Sequence, residues 1–202
     1  GSQDFAMQVK GLEIPMHEPR VKAALGLGYE VNPHGADHCA NVHDTMVSRP
    51  GRGLDRVKAL GVEPLPADEL GPRKAAMFRN IHLFRVSQDC ILLCQFVPYD
   101  AEQVVNIVSA VTGWKVSIAE MQKVSERTLN IARLFNLREG FTAADDKLPK
   151  RFFQPKTSGI LSTKFYDQEQ LEKTKNYYYT LMGWDERNGV PSPEKLEELG
   201  IN

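Results

Sequence analysis

Apolar residues recur at helical spacing over most of this chain, and capping signals mark where the helices begin and end. The segment up to Arg20 alternates apolar and polar residues around Pro15 and Pro19 and is expected to be extended. Residues 21–31 read as a helix whose Gly26 and Gly28 would let another backbone approach closely. Asn32-Pro33-His34-Gly35 is a turn, and 36–47 reads as a second helix. Residues 48–70 are rich in Pro and Gly with weak periodicity, so a surface excursion is expected there. Pro72 suits the first position of a long helix that runs through the amphipathic stretch 77–86 to about Ser87 or beyond. Asp100 caps a helix that Gly113 stops. Ser117 and Glu120 form a capping box for the longest helix, to about Arg138, with Ile118, Met121, Val124, Leu129, Ile131, Ala132, Leu134 and Phe135 as its buried stripe. Asp167 opens a helix over 168–181, and Ser192-Pro193-Glu194-Lys195 opens a short last one. With no convincing strand pair and no repeat, the expected fold is all-α: an irregular multi-helix domain with long connections.

Composition narrows the function class more than it names one. The 202 residues suffice for a sizeable core, and 42% hydrophobic with 25% charged residues is ordinary globular composition. A net charge of −1 gives no field that would recruit nucleic acid or an anionic membrane. No apolar run approaches the roughly 20 residues of a membrane span. Three cysteines without framework spacing fit a reducing, cytoplasmic setting. Gly1-Ser2 reads as a cloning remnant, leaving 3–202 as the domain.

The candidate chemistry lies in two places. Ser87-Gln88-Asp89-Cys90-Ile91-Leu92-Leu93-Cys94 sets an acid and a thiol in an apolar run ahead of Pro98. On one continuous helix Asp89 and Cys94 would diverge by about 140°, so they converge only if the helix ends between them. A carboxylate near a helix C-terminus calls for a donor partner. Cys90 and Cys94 are not a C-x-x-C pair, and Cys90 and Cys39 read as small packing residues. The second place is Asp37-His38-Cys39 with His43. Zinc needs four ligands; His38 and His43 would face apart on a helix by about 140°, leaving only Cys39 and His43 on one face, so no zinc site is expected. His38, following a turn, could project into a cavity as an acid/base near neutral pH. His17, His34, His43 and His82 carry no local partner pattern.

Several stretches together resemble the tungsten-containing aldehyde ferredoxin oxidoreductase family. They are Val9-Lys10-Gly11-Leu12-Glu13-Ile14-Pro15, Gly35-Ala36-Asp37-His38, the 89–94 segment, Leu134-Phe135-Asn136-Leu137-Arg138-Glu139-Gly140-Phe141, Asp145-Asp146-Lys147-Leu148-Pro149, and Gly183-Trp184-Asp185 with Val190-Pro191. They follow family order over nearly the whole chain, and the resemblance is to the C-terminal domain, which in full-length members follows a β-rich pterin-binding domain and a middle helical domain. The resemblance implies an enzyme that oxidises an aldehyde to a carboxylate at a tungsten (or molybdenum) bis-pterin centre and passes electrons through a 4Fe-4S cluster to ferredoxin. The family's D-x-x-G-L-C motif falls on 89–94. That makes Asp89 a pterin ligand and Cys94 the fourth cluster thiolate, with Leu92 standing where the family has Gly. His38 matches the histidine near tungsten that is proposed to handle a substrate proton. The other implied partners are the N-terminal and middle domains of the same polypeptide, and exposed apolar surface would also permit a homodimer. Two alternatives remain: a relative acting on an aromatic or acyl-CoA-linked substrate, and a cofactor-free helical interaction module.

On this reading the isolated polypeptide is folded, colourless and inactive, because three thiols at the wrong spacing cannot assemble a cubane. A purified sample with stable iron–sulfur absorbance at about 400 nm would contradict that expectation.

Overall fold

The computed structural model describes residues 5–201; Gly1-Ser2, read above as a cloning remnant, lies outside them. Seven α-helices follow a two-stranded hairpin among the described residues: β1 (Gln8–Val9), β2 (Leu12–Glu13), α1 (Ala23–Val31), α2 (Arg52–Asp55), α3 (Pro72–Cys90), α4 (Ala101–Thr112), α5 (Ile118–Arg138), α6 (Gln168–Met182) and α7 (Pro193–Leu199). The all-α expectation holds for everything except this hairpin. Positive φ at both Lys10 (51°) and Gly11 (85°) is the signature of a tight two-residue hairpin turn.

The helices with local caps form where their signals stand. Asp100 accepts from the Gln103 amide, Ser117 from Glu120, Asp167 from Gln170 and Ser192 from Lys195. Helix α3 is the centre of the fold, packed against α5 and α6, with α1 against α3 and α6. Its Met77, Phe78, Ile81, His82, Leu83, Phe84, Val86 and Ser87 are all buried, so the amphipathic stretch is enclosed on most sides. His82 is a core histidine stacked on Phe78 at 5.0 Å, and burial pushes its imidazole down to about 4.

Four expectations are corrected. Residues 36–47 are not a helix: they form an irregular loop with one 3-10 turn, Asp44–Met46. The residues that would populate that helix act elsewhere. Asp44 is buried and its two carboxylate oxygens accept from the amides of Ala24 (3.0 Å) and Leu25 (3.1 Å), capping α1 from outside its own sequence. The same carboxylate pairs with the fully buried Lys74 at 2.6 Å. Residues 48–70 are no surface excursion, since Leu54, Val57, Leu60, Val62 and Leu65 join the main core. Gly26 and Gly28 admit side chains, not backbone: an added Cβ would collide with Tyr166 Oη at the first and with Asn41 Oδ1 at the second. The α5 stripe is also redistributed, with Met121 and Leu129 buried and Val124, Ile131 and Phe135 exposed.

A polar network ties the two ends of the chain through the interior. Asp146 Oδ1 pairs with Lys10 at 2.6 Å and Oδ2 with Arg133 at 2.8 Å, and Tyr179 donates its hydroxyl to Oδ2. Beside it, Glu30 is buried with one carboxylate oxygen accepting from the Leu148 amide (3.1 Å) and the other unpartnered among the described residues. Burial pushes its carboxyl from the ordinary 4.5 to about 7, against the pull of Lys175. Because the folded-state value is the higher one, protonation favours the fold: Glu30's contribution is full below about pH 4.5 and is lost as pH rises toward about 7. Asp44, also raised by burial, acts in the same direction. Urea unfolding of Glu30→Gln across pH 5 to 8 should show the variant gaining on wild type by up to a few kcal/mol as pH rises. A difference that stays constant with pH would exclude this titration.

Candidate functional site

Helix α3 stops between Asp89 and Cys94, so the two do not diverge along one continuous helix. The Leu93 amide donates to Gln88 O (2.8 Å) and the Leu92 amide to Asp89 O (3.0 Å), the paired bonds of a Schellman termination. That termination needs a left-handed residue after the cap, and Leu92 takes it with φ 57°. The helix runs one residue beyond Asp89, to Cys90, before it reverses. Asp89 and Cys94 are both surface-accessible, and Cys94 is a free thiol. Cys90 is exposed as well, its sulfur 3.4 Å from Thr128 Oγ1, so its reading as a buried packing residue is wrong: the helix face it occupies looks outward.

The chain after Cys94 is held from α2's end. Arg56 donates to the carbonyls of Gln95 (3.3 Å), Val97 (2.9 Å) and Tyr99 (3.1 Å), and its own carbonyl accepts from the Ala101 amide (3.1 Å). Beside Asp89, Arg85 is within electrostatic reach of Asp89, Cys39 and Arg56, and its Nε and Nη1 are buried without a partner among the described residues. The Asp89 carboxyl is pushed up, first by partial burial and then by the neighbouring Asp37 carboxylate, with Arg85 pulling the other way. Asp89 therefore lies near the loop that carries His38.

That loop is fixed by backbone geometry. Gly35 has φ 89°, and a Cβ there would strike Val9 O, so the hairpin rests directly on it. Asn136 donates to Pro33 O at 2.6 Å. Asp37 accepts from the Cys39 amide at 2.7 Å and pairs with the exposed His34 at 2.8 Å. His38, half-buried, stands on this loop and not at a helix start. Its ring lies 4.3 Å from that of His17 and 6.1 Å from that of His43, and His17 and His43 are 4.8 Å apart. Cys39 Sγ is 3.4 Å from His38 Nε2. Burial, then Lys22 and His17, push His43 down to about 4, and burial with His38 and Lys22 lowers His17. Spacing rules missed this cluster because they assumed a helix over 36–47 and gave His17 no reason to return. The only local hint was four histidines within 27 residues.

Residues 1–201 match the family model described as "Aldehyde ferredoxin oxidoreductase, domains 2 & 3", and the chain belongs to this family. Among its relatives are the tungsten-containing aldehyde ferredoxin oxidoreductases of Thermococcus kodakarensis (32% identical) and Pyrococcus furiosus (33%); each alignment covers 100% of this chain and 32% of the relative. An aliphatic sulfonate oxidoreductase, WOR-like subunit, from Pyrococcus furiosus is 24% identical over 98% of the chain. The chain thus spans about a third of the length of the curated relatives it matches. In fold it is similar to a chain of the active-site complex BamBC of benzoyl coenzyme A reductase, with TM-score 0.65 and 16% identity over 97% of this chain and 33% of that one. No described helix is long and apolar enough to cross a membrane.

Leu92 is 94% exposed, so its side chain contributes no packing to offset its left-handed backbone. Leu92→Gly should therefore raise stability by ~1 kcal/mol, read as a higher urea midpoint at unchanged slope. A lower midpoint would mean that the turn does not carry this strain.

Proposed function

We propose that this chain supplies the C-terminal wall of an aldehyde-oxidising, tungsten- or molybdenum-dependent oxidoreductase whose electron acceptor is ferredoxin. The observation that carries the reading is the end of α3. A left-handed residue at the family's glycine position turns the chain so that an accessible carboxylate precedes the reversal and a free thiol follows it.

The residues fit the groups they would hold. Asp89 offers two acceptor oxygens to the adjacent N–H groups of a pterin edge, and the unpartnered Arg85 donors beside it match a polar guest. Cys94 offers an accessible thiol that, once deprotonated, can bind an iron of a 4Fe-4S cluster. The bound metal and cluster supply the two-electron oxidation of the aldehyde and the outward electron path. Within this chain, His38 accepts or returns the substrate proton, with the Cys39 thiol 3.4 Å from its Nε2. The Gly35–Val9 contact fixes the height of that loop, and Arg56 fixes the loop after Cys94. The remaining walls come from the other domains of the same polypeptide. Exposed Val124, Ile131 and Phe135 on α5 are suited to pack there.

The test uses the longer protein that carries this chain, assayed with a small aldehyde and a viologen acceptor. Cys94→Ser should lose most of the cluster's visible absorbance and electron paramagnetic signal. His38→Gln should keep metal and cluster content while kcat falls by about a hundredfold or more. A Cys94→Ser protein with an undiminished cluster, or His38→Gln with wild-type kcat, would overturn these assignments.

A further inference from the structure

We propose that the cavity between the hairpin, α6 and residues 141–154 binds a small organic ammonium ion, with the buried Glu30 carboxylate as its anchor. The inference needs only side chains of this chain and does not rest on the pterin and cluster reading.

The cavity has the size and walls of a small-molecule site. Its volume is about 890 Å³, within the roughly 300–1,000 Å³ usual for such sites. Val9, Phe141, Leu148, Phe153 and Leu171 supply apolar lining, and Glu30, only 3% exposed, is the buried acid among the lining residues.

That carboxylate is incomplete. One oxygen accepts from the Leu148 amide at 3.1 Å, and Oε2 has no partner among the described residues. Buried polar groups are otherwise paired, so an orphan acceptor asks for a donor from outside the chain. The neighbouring cations are committed elsewhere. Lys10 Nζ is held by Asp146 Oδ1 at 2.6 Å and by the Glu30 carbonyl. Lys175 Nζ donates to Asp146 O at 2.9 Å and pairs with Glu172 at 2.8 Å. A guest ammonium brings both a donor and the positive charge that the buried carboxylate lacks, while its hydrocarbon part lies against the apolar lining. The terminal torsion of a glutamate is broad, so a small turn aims Oε2 at the guest while Oε1 keeps the Leu148 amide.

Binding is tied to one proton. Burial pushes the Glu30 carboxyl up to about 7, with Lys175 pulling it down and Glu172 and Asp146 adding to the rise. Lys10 of the hairpin, with Asp145, Lys147 and Lys150, are the other charged groups that line the cavity. An ammonium pairs with the ionised carboxylate, so below about pH 7 its binding expels the carboxyl proton. The guest itself, like a lysine, stays charged to about pH 10. Affinity therefore rises about tenfold from pH 6 to pH 8 and then levels off.

Hexylamine is the probe, titrated calorimetrically into the 202-residue chain at pH 6, 7 and 8. One ligand per chain is expected, with about one proton released at pH 6, read from two buffers of different ionisation enthalpy. Hexanol, which carries a donor but no charge, should bind about tenfold more weakly or worse. Glu30→Gln keeps an acceptor for the Leu148 amide; it should weaken amine binding by about tenfold or more and remove the pH dependence. Glu172→Gln, at an exposed acid of the same cavity, should bind as wild type. Circular dichroism confirms that each variant is folded. Absence of saturable binding would overturn the site, as would equal affinity for amine and alcohol, or binding lost with Glu172 in place of Glu30. The longer protein that carries this chain should bind the amine too. If it does not, a basic side chain of the remaining polypeptide meets Glu30 there, and the small-molecule assignment is overturned. None of these readouts involves metal, cluster or turnover, so they stand or fall apart from the aldehyde-oxidising reading.

Discussion

The buried Asp146 carboxylate is the interaction on which the rest of this structure depends. It neutralises Lys10 from the hairpin at 2.6 Å and Arg133 from α5 at 2.8 Å, and it accepts the Tyr179 hydroxyl from α6. Its own backbone carbonyl accepts from Lys175 at 2.9 Å. Two cations and a tyrosine thus converge on one anion with essentially no solvent exposure. Removing one partner of such a buried set costs about 3–5 kcal/mol, which is a large share of a typical 5–15 kcal/mol of folding stability. Arg133 extends the set: its Nε donates to Gly189 O at 2.8 Å, and its guanidinium lies 5.1 Å over Trp184. An added Cβ on Gly189 would run into Arg133 Nη2, so only glycine fits that approach.

This network reaches the candidate site through backbone, not side chains. The ion pair to Asp146 fixes the Lys10 ammonium while Lys10 itself sits at φ 51°, a conformation a lysine adopts only under constraint. The hairpin so pinned presses Val9 O onto Gly35, and the loop from Gly35 carries His38, Cys39 and His43. Three of the six stretches that carry the family resemblance, those containing Lys10, Asp146 and Trp184, supply members of this network. Their spacing in sequence makes sense only once the fold closes. The resemblance therefore reports a structural frame as much as a catalytic one.

Helices whose caps are local were readable from the chain. Asp100, Ser117, Asp167 and Ser192 each bond an amide three residues on, so the start signal and the start share one short segment. Helix α1 shows the opposite case. Lys22 gives it no side-chain cap, and Asp44 supplies one from the far side of the intervening loop. That bond both starts α1 and prevents 36–47 from being a helix, and nothing in local periodicity could reveal either. The α5 stripe failed for a related reason. Its interior face bears Ser125, Glu126, Asn130 and Arg133, paired internally with partners such as Trp184 Nε1, which donates to Asn130 Oδ1 at 2.8 Å. Once polar residues satisfy one another inside, Ile131 and Phe135 are left for the outside, and hydrophobicity no longer marks burial.

Asp89, Cys94 and His38 could be nominated from the sequence because each sits in a motif whose residues are consecutive. The histidine cluster could not, and the difference is topological. Tyr29, near the end of α1, donates to His17 O at 3.2 Å, so the segment before the helix runs back alongside it. A nine-residue helix is only about 13 Å long, and a chain that returns over that distance brings residues before it against residues after it. His17 thereby meets His38 and His43 although α1 separates them in sequence. Spacing rules assume that residues that meet share one element; here they meet through the loop that Asp44 and Asp37 hold out of helical form. The same constraint that defeated the secondary-structure reading of 36–47 is what brings the three imidazoles against one another.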